Sequence, residues 1–317
     1  MFLVDDGSSD NTQEVLRALL IEHPHWRARL QVLFQTNQGK SVALNNALAR
    51  TDGDWIAFND SDDTWHPQKL EWQFRALEEN PDCFACFTDA SYVNCSGDNR
   101  TAIEVGGLKF RNRIGRLENA LDVMVGQFHG IYMQTVLVRA DILAKTGGFD
   151  AKLRVAIDVD FLFRLALQTP FCYVNLPLVD IDRTPNRSPS LTQEFPKGSL
   201  YRLQMNEIMF LQWSELSALS NHRRIKRRIH NQIVSTRSAM ANCYILKNDI
   251  FAARKTLAKA LRNGFRLNLW LKWSLTYLAP LGLMKKLVQR QSDQGIRWRF
   301  ACRRIAIAQD QNAVRRG

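Results

Sequence analysis

The strongest constraint on what this chain can fold into is a change of pattern part-way along it. Over the first 170 residues, short apolar runs alternate with helical patterns, the arrangement of an α/β domain whose sheet strands are joined by helices. Strands are expected at Met1–Val4, Leu30–Phe34, Trp55–Phe58, Cys83–Thr88 and Gln134–Val138. Helices are expected at Thr12–Ile21, Gly39–Arg50, Pro67–Glu79, Ala140–Thr146 and Ile157–Leu167. Pro67 suits a first helical turn, and Gly147-Gly148 suits the end of one. Residues 180–199, rich in Pro, Ser and Arg, read as a loop. Beyond Ser199 strand signals stop and the chain reads as helical. The expected organisation is an α/β domain at 1–197 followed by an α-helical extension at 198–317. A chain of 317 residues is long enough for both.

Charge divides at the same place. Residues 1–197 hold 20 Lys and Arg against 26 Asp and Glu, a net −6. Residues 198–317 hold 23 against 5, a net +18. So basic a module suits a polyanion, either an anionic membrane surface or nucleic acid. Trp270, Trp273 and Tyr277 beside lysines, in the apolar stretch from Leu267, favour the membrane interface. No nucleic-acid recognition motif occurs, so nucleic acid is not expected as a partner. The bland alternative is a helical bundle with an apolar face packed on the rest and its charges solvated. Ser238–Arg262 resembles a single tetratricopeptide-like helical pair, too little for a repeat array.

The chemistry concentrates in Trp55-Ile56-Ala57-Phe58-Asn59-Asp60-Ser61-Asp62-Asp63. An apolar run ends in three carboxylates within four residues, at what would be the end of a strand. Crowded carboxylates repel one another unless a cation sits among them. Mg²⁺ or Mn²⁺ takes oxygen ligands and commonly bridges carboxylates to substrate phosphates. The competing reading is an acidic turn that caps the next helix. Lys40 lies in a Gly-containing loop ahead of a helix, where a cation and free backbone N–H groups suit a diphosphate; it can also be a solvated loop lysine.

Six scattered cysteines do not form a disulfide framework. Cys83-Phe84-Ala85-Cys86 has zinc-like spacing but no second pair, and lies in a strand-like run. The pattern suits a reducing cytosol. Residues 1–30 carry early acids and no long apolar core, so no secretory leader is expected. No uninterrupted apolar span of transmembrane length is present, the nearest candidate, Leu267–Leu287, being broken by Lys272, Pro280, Lys285 and Lys286. The expected location is cytoplasmic, with peripheral attachment to the inner face of the plasma membrane as the alternative.

Four stretches resemble the signatures of family 2 glycosyltransferases, which have the GT-A fold, a Rossmann-like mixed sheet flanked by helices. They are Val4-Asp5-Asp6-Gly7-Ser8-Ser9-Asp10-Asn11-Thr12, the stretch Asn37 to Ala47, the stretch Gly53 to Leu70, and Gly147-Gly148-Phe149-Asp150 with Asp158-Val159-Asp160-Phe161. The resemblance runs in the family's order over about residues 3–190. It implies inverting, metal-dependent transfer of a sugar from a nucleotide donor, most often UDP-linked, to an acceptor hydroxyl of a glycan or lipid-linked glycan in envelope or surface polysaccharide synthesis.

Residue by residue, the resemblance implies that Asp62 and Asp63 hold Mn²⁺ or Mg²⁺, with Asp63 the first choice. Asp62 is also placed at the ribose, and Asp60 behind them. Asp6, with Asp5 beside it, matches the carboxylate that meets the uracil ring, although both also suit a turn. Asn37, Gly39 and Asn45 shape the loop that carries Lys40. Asp158 aligns with the carboxylate that takes the acceptor proton, but Ile157 stands where the family usually has Glu. Asp160, about 200° round a helix from Asp158, cannot share that role, and Arg164 is expected to brace or pair rather than touch substrate. Arg183 and Arg187 fall where a basic loop often closes over the diphosphate, though its usual His is missing. The Gln-x-x-Arg-Trp motif of processive synthases is absent, which favours single additions.

Family members usually place about 30–40 residues before the first signature, so the chain reads as N-terminally truncated. Loss of a central strand would leave backbone groups unpaired, at about 1–3 kcal/mol each. The rival expectation is therefore a non-catalytic remnant that acts as an interaction or membrane-surface-binding protein through its helices.

Overall fold

The computed structural model describes residues 1–95, 100–126, 130–184, 198–218, 222–264 and 266–290. The chain forms two compact units. The first comprises residues 1–195 with 216–225, the second 196–215 with 226–317. The short return of 216–225 to the first unit has no counterpart in the sequence pattern.

The first unit is mixed α/β. Its strands are β1 (Phe2–Asp6), β2 (Gln31–Gln35), β3 (Trp55–Ala57), β4 (Thr64–Trp65), β5 (Ala85–Val93), β6 (Ile114–Arg116), β7 (Val136–Arg139) and β8 (Phe171–Asp182). Its helices are α1 (Thr12–Glu22), α2 (Lys40–Leu48), α3 (Lys69–Glu79), α4 (Ala102–Gly106), α5 (Ala120–Met124), α6 (Ala140–Thr146) and α7 (Ile157–Ala166). β1 and β2 pair in parallel as a two-stranded sheet. The other six strands form one sheet in the order β3-β7-β5-β8-β4, with β6 also on β8. β5 and β8 run parallel, and the other pairs of this sheet are antiparallel. The far edge of β8 is shared between β6 at Cys172–Val174 and β4 at Val179–Asp180.

Three sequence expectations need correction. β1 continues through Asp5 and Asp6, so both acids lie on a strand rather than in the turn that follows. The loop expected from residue 180 begins later, because β8 runs to Asp182. Neither β8 nor the short β4 and β6 was expected. Pro177 interrupts the apolar pattern of 171–182, and Pro normally argues against a strand interior. Here a register shift after Thr88 pairs Pro177 with Asp89 at an irregularity of the β5–β8 ladder, where a missing N–H is tolerated.

α3 covers one face of the sheet. Ala76 and Leu77 pack with Cys83, Cys86, Leu137, Cys172, Val174 and Leu178. Cys83, Cys86 and Cys172 are buried free thiols of this core, and the neighbouring Cys172 thiol together with burial pushes Cys83 well above its ordinary pKa. A second aromatic group joins three parts of the chain. Phe58, just past β3, meets Phe149 at 5.6 Å and Phe161 of α7 at 6.0 Å, and Phe149 stacks on Phe161 at 4.6 Å. Burial of three such rings favours this junction by several kcal/mol, at about 1.5–3 kcal/mol per side chain.

The second unit is helical. The described helices are α8 (Leu200–Ala218), α9 (Arg223–Leu246), α10 (Ile250–Arg262) and α11 (Leu267–Leu278), and residues 281–290 are also helical. Asn248 adopts φ 67° in the turn after α9, and the Asp249 side chain caps α10 by accepting from Ala252 N–H at 2.9 Å. The core gathers Val234, Ala241, Ile245, Ala253, Leu257, Ala260, Leu269, Met284 and Val288. Inside it the Arg237 guanidinium pairs with Glu207 at 2.5 Å. Lys272 is drawn in rather than left at the surface: its ammonium reaches Ser238 O and Oγ at 3.3 and 3.2 Å, and burial lowers its pKa to about 8. No helix among the described residues is long and apolar enough to cross a membrane.

Candidate active site

The site is built on the turn after β3. Chain direction and the Phe58 anchor carry Asn59–Asp63 off the end of the strand. The carboxylates of Asp60, Asp62 and Asp63 each offer an oxygen within 4.8 Å of the others. Asp62 is exposed, while Asp60 and Asp63 are partly buried.

Asp63 is the most constrained of the three. Its Oδ1 accepts from the backbone N–H of Asp182 at 3.1 Å, and its Oδ2 accepts from the Gln134 side-chain amide. Asn59 Nδ2 donates to its backbone carbonyl at 3.2 Å. Loss of water raises its pKa to about 6, and the charges of Asp62 and Asp60 add to that rise against the two hydrogen bonds. Only oxygen donors are gathered, and they favour a positive charge between them, which is the donor chemistry of Mg²⁺ or Mn²⁺. The residues present therefore fit such an ion.

Asp60 faces the loop that opens α2. Lys40 Nζ lies 2.5 and 2.6 Å from its two oxygens. That loop is held by Asp6, whose Oδ1 accepts from Gln35 Nε2 and Gln38 N–H and whose Oδ2 accepts from Gly39 N–H, each at 2.8 Å. Gly39 takes φ 91°, a region that side chains disfavour, and no side chain caps the helix it starts. The first N–H groups of α2 are thus left as an anion-favouring end. Gly7 is equally required: a Cβ there would lie 2.7 Å from Asn37 N. This close approach seats Asn37 against the end of β1.

Asp5 braces the turn after β1 through its Oδ1. It is buried, and its Oδ1 accepts from Ser8 N–H at 3.0 Å and from the Ser8 hydroxyl; the latter holds its carboxyl below its ordinary pKa. Asn45 is also a brace. Its amide donates to Phe149 O at 2.8 Å and accepts from Phe149 N–H at 2.7 Å. It ties α2 to the loop Gly147–Asp150.

Asp158 stands in the first turn of α7 and is partly buried. Ala156 before it adopts φ 59°, ψ 26°, a left-handed conformation that costs a non-glycine residue about 1–2 kcal/mol. Asp158 and Phe161 are three apart, so they share one side of α7, and Phe161 packs on Phe58 beside the acidic turn. Asp160 is turned away and buried, paired with Arg164 Nε at 2.9 Å and Nη2 at 2.8 Å. Arg164 also donates to Thr146 O at 2.9 Å, so it braces the core. Arg183 lies over the rings of Tyr92 and Tyr132, at 5.4 and 5.9 Å. Arg187 lies outside the described residues.

Sequence reasoning did not identify the partners of Asp63. Gln134 and Asp182 are 71 and 119 residues away, and no local pattern marks either one.

Three comparisons bear on this geometry. Residues 1–139 match the family model described as glycosyl transferase family 2. The chain is 37% identical over 98 residues to a putative teichuronic acid biosynthesis glycosyltransferase, TuaG, of Bacillus subtilis, an alignment covering 31% of this chain and 37% of the relative. It is 41% identical over 69 residues to an uncharacterised glycosyltransferase of Nostoc, covering 22% of this chain and 20% of the relative. The chain thus spans well under half the length of these curated relatives in what aligns. Among solved structures, it resembles S. aureus TarS residues 1–349 in complex with UDP-GlcNAc, with TM-score 0.61 and 14% identity, over 93% of this chain and 82% of that one. A second structure of S. aureus TarS 1–349 gives TM-score 0.58 at 14% identity, over 93% of this chain and 82% of that one. At this identity the likeness speaks for the fold, a GT-A sheet with helices following it. The first 139 residues thus match glycosyl transferase family 2, and the fold agrees with that match.

Proposed function

We propose that this chain transfers a sugar from a nucleotide-sugar donor, of the UDP-linked class, to an acceptor hydroxyl of a glycan or lipid-linked glycan during polysaccharide synthesis. The observation that carries the reading is the set of three carboxylates, with ligand atoms within 4.8 Å, on the turn after β3 inside the family match. The names of TuaG and of the UDP-GlcNAc complex of TarS support the substrate class.

In this reading Asp62 and Asp63 hold Mn²⁺ or Mg²⁺. Such an ion, when bound, offsets the negative charge that gathers on a departing diphosphate. The chain's own residues do the rest. The free N–H end of α2 and the Lys40 ammonium attract the diphosphate, and Asp60 keeps Lys40 in place until the donor arrives. Asp6 holds the Gln38-Gly39 turn against which the nucleotide lies, and Asn37 and Asn45 fix the same loop. Asp5 acts through the shape of the first turn, and Arg187, outside the described residues, is assigned to the donor's diphosphate. Asp158 takes the proton of the attacking acceptor hydroxyl, so that attack and departure occur on opposite faces of the sugar and the anomeric centre inverts.

The second unit adds a surface for the acceptor. Leu267, Trp270, Leu271, Tyr277 and Leu278 of α11 are exposed, and residues 198–317 together carry a net +18. Such a face suits peripheral contact with an anionic lipid surface that presents a lipid-linked acceptor. The basic cluster Arg297–Arg304 lies outside the described residues.

The test is calorimetric binding of UDP with and without Mn²⁺, to the chain and to Asp63→Ala. Metal-dependent binding that disappears in the variant is the expected result. A folded chain that binds no nucleotide under either condition would sink the reading.

A further inference from the structure

Lys69 and Gln73 sit on the first turns of α3, facing inward. Both are buried, Lys69 at 1% exposure and Gln73 at 0%. The Lys69 ammonium nitrogen lies 2.8 Å from Gln73 Oε1 and 4.2 Å from the centre of the Trp65 ring. No carboxylate pairs with it among the described residues. A lysine stem ending in an amine is costly to bury, and burial lowers its pKa to about 7. An apolar side chain of similar length would fill the same volume without that cost. The amine must therefore be judged by what it holds.

Two branches leave it, and both end at Asp63. Along one, Gln73 Nε2 donates to Thr135 O at 2.9 Å and to Cys86 O at 3.1 Å. This fork fastens the short 3-10 turn Met133–Thr135 to β5. Gln134 is the middle residue of that turn, and its amide donates to Asp63 Oδ2. Along the other, the Trp65 ring belongs to β4, two residues after Asp63. β4 pairs with β8 at Asp180 and Val179, and two residues further along β8 the Asp182 N–H donates to Asp63 Oδ1. The two carbonyl acceptors set which way the Gln73 amide faces, and the Lys69 ammonium fixes its other end by donating to Oε1. Without it, a buried amide oxygen is left unpaired, and the side chain can shift away from Thr135 O to relieve that cost.

We propose that Lys69 and Gln73 are positioning residues for Asp63, fixing through Gln134 and Trp65 the direction in which that carboxylate presents its oxygens. The proposal rests on the reading of Asp63 as a ligand of a divalent cation only for its consequence. The strut itself is a statement about Gln134 and can be tested without a metal.

The experiment uses the full chain labelled with ¹⁵N-glutamine and the variants Lys69→Met, Lys69→Arg and Gln73→Glu, each first checked for a cooperative thermal transition. The metal-free arm reads the Gln134 side-chain amide by NMR, assigned by its loss in Gln134→Leu. The expected result is a shifted, slowly exchanging amide in the parent chain. Lys69→Met and Gln73→Glu should move it to the free-amide position with exchange at least tenfold faster. Gln73→Glu keeps a partner for Lys69 and so separates the strut from burial of the lysine itself. Lys69→Arg, which keeps a donor, should restore part of the protection. The metal arm reads Mn²⁺ binding by electron paramagnetic resonance, with roughly tenfold weakening expected in the first two variants. A folded Lys69→Met or Gln73→Glu that leaves the Gln134 amide as protected as in the parent would overturn the proposal. If the parent chain itself binds no Mn²⁺, the metal reading of Asp63 fails, while the amide signal still decides the strut. If all the Lys69 variants fail to fold, Gln73→Glu alone carries the decision, and its failure to fold as well would assign the pair to core stability and count against a positioning role.

Discussion

Lys40 Nζ lies 2.5 Å from Asp60 Oδ1, joining the first turn of α2 to the acidic turn after β3. The two side chains are 36% and 31% exposed, so water screens the pair and it contributes no more than about 1 kcal/mol to stability. Its value lies in placing a cation beside the carboxylates. Lys40→Met should therefore leave the unfolding midpoint within about 3 °C of the parent. The same change should weaken nucleotide binding about tenfold, equivalent to about 1.4 kcal/mol. Differential scanning fluorimetry beside calorimetry checks both; a large loss of stability with unchanged affinity would contradict the assignment.

The pH response of Asp63 follows from its raised pKa of about 6, against about 4 in an unfolded chain. Between these values the folded chain keeps a proton that the unfolded chain has released. The contribution of this group to stability is therefore greatest below pH 4 and falls as pH rises to 6. Asp63→Asn should raise the melting midpoint at pH 8, by roughly 2 °C because a half-exposed site is partly screened, and change it little at pH 4. Mn²⁺ binding should weaken as pH falls through 6, where protons compete for the carboxylate. Melting curves and metal titrations across pH 4–8 test the two signs separately.

Asp158 and Asp160 stand two residues apart and should fail in opposite ways. Asp158→Asn should lower turnover at least 100-fold, roughly the contribution of a positioned base, with nucleotide affinity and melting midpoint unchanged. Asp160→Asn removes the buried partner of Arg164 and should cost roughly 3 kcal/mol of stability. Turnover and denaturant titration of both variants give the comparison. Equal loss of stability in the two would argue that Asp158 is a helix-start residue only.

Asn45 ties α2 to the Phe149 backbone through two hydrogen bonds. Asn45→Leu leaves the Phe149 N–H and C=O without those partners, at about 1–3 kcal/mol. Faster hydrogen exchange at residues 147–150 is the specific sign of this, read by mass spectrometry beside the loss of stability.

The exposed face of α11 should bind vesicles that carry anionic lipid and ignore neutral ones, with binding reduced by salt. Trp270→Ser with Leu278→Ser should cut flotation with anionic vesicles several-fold at unchanged stability. Flotation unaffected by the double change would remove this face from the membrane reading.

The sequence by itself determined the kind of each strongly patterned element and the order of the chemistry along the chain. Strands near Met1, Leu30, Trp55, Cys83 and Gln134, and helices near Thr12, Gly39, Pro67, Ala140 and Ile157, were legible because alternation and 3.6-residue spacing report local burial. The three acids were legible because they crowd one turn. Only the tertiary structure decided which groups meet. β8 was hidden by its proline, and the Pro177 irregularity makes sense only beside Asp89 of β5. Asp5 also braces the first turn, because Ser8 donates twice to its Oδ1, a contact that only the folded turn makes. Asp63 takes its character from Gln134 and Asp182, and Lys69 from Trp65 and Gln73. The physical reason is one of range. Periodicity reflects how each residue meets the core a turn or a step away, whereas the environment of a carboxylate is set by chain segments about a hundred residues distant, which only the packed sheet brings to it.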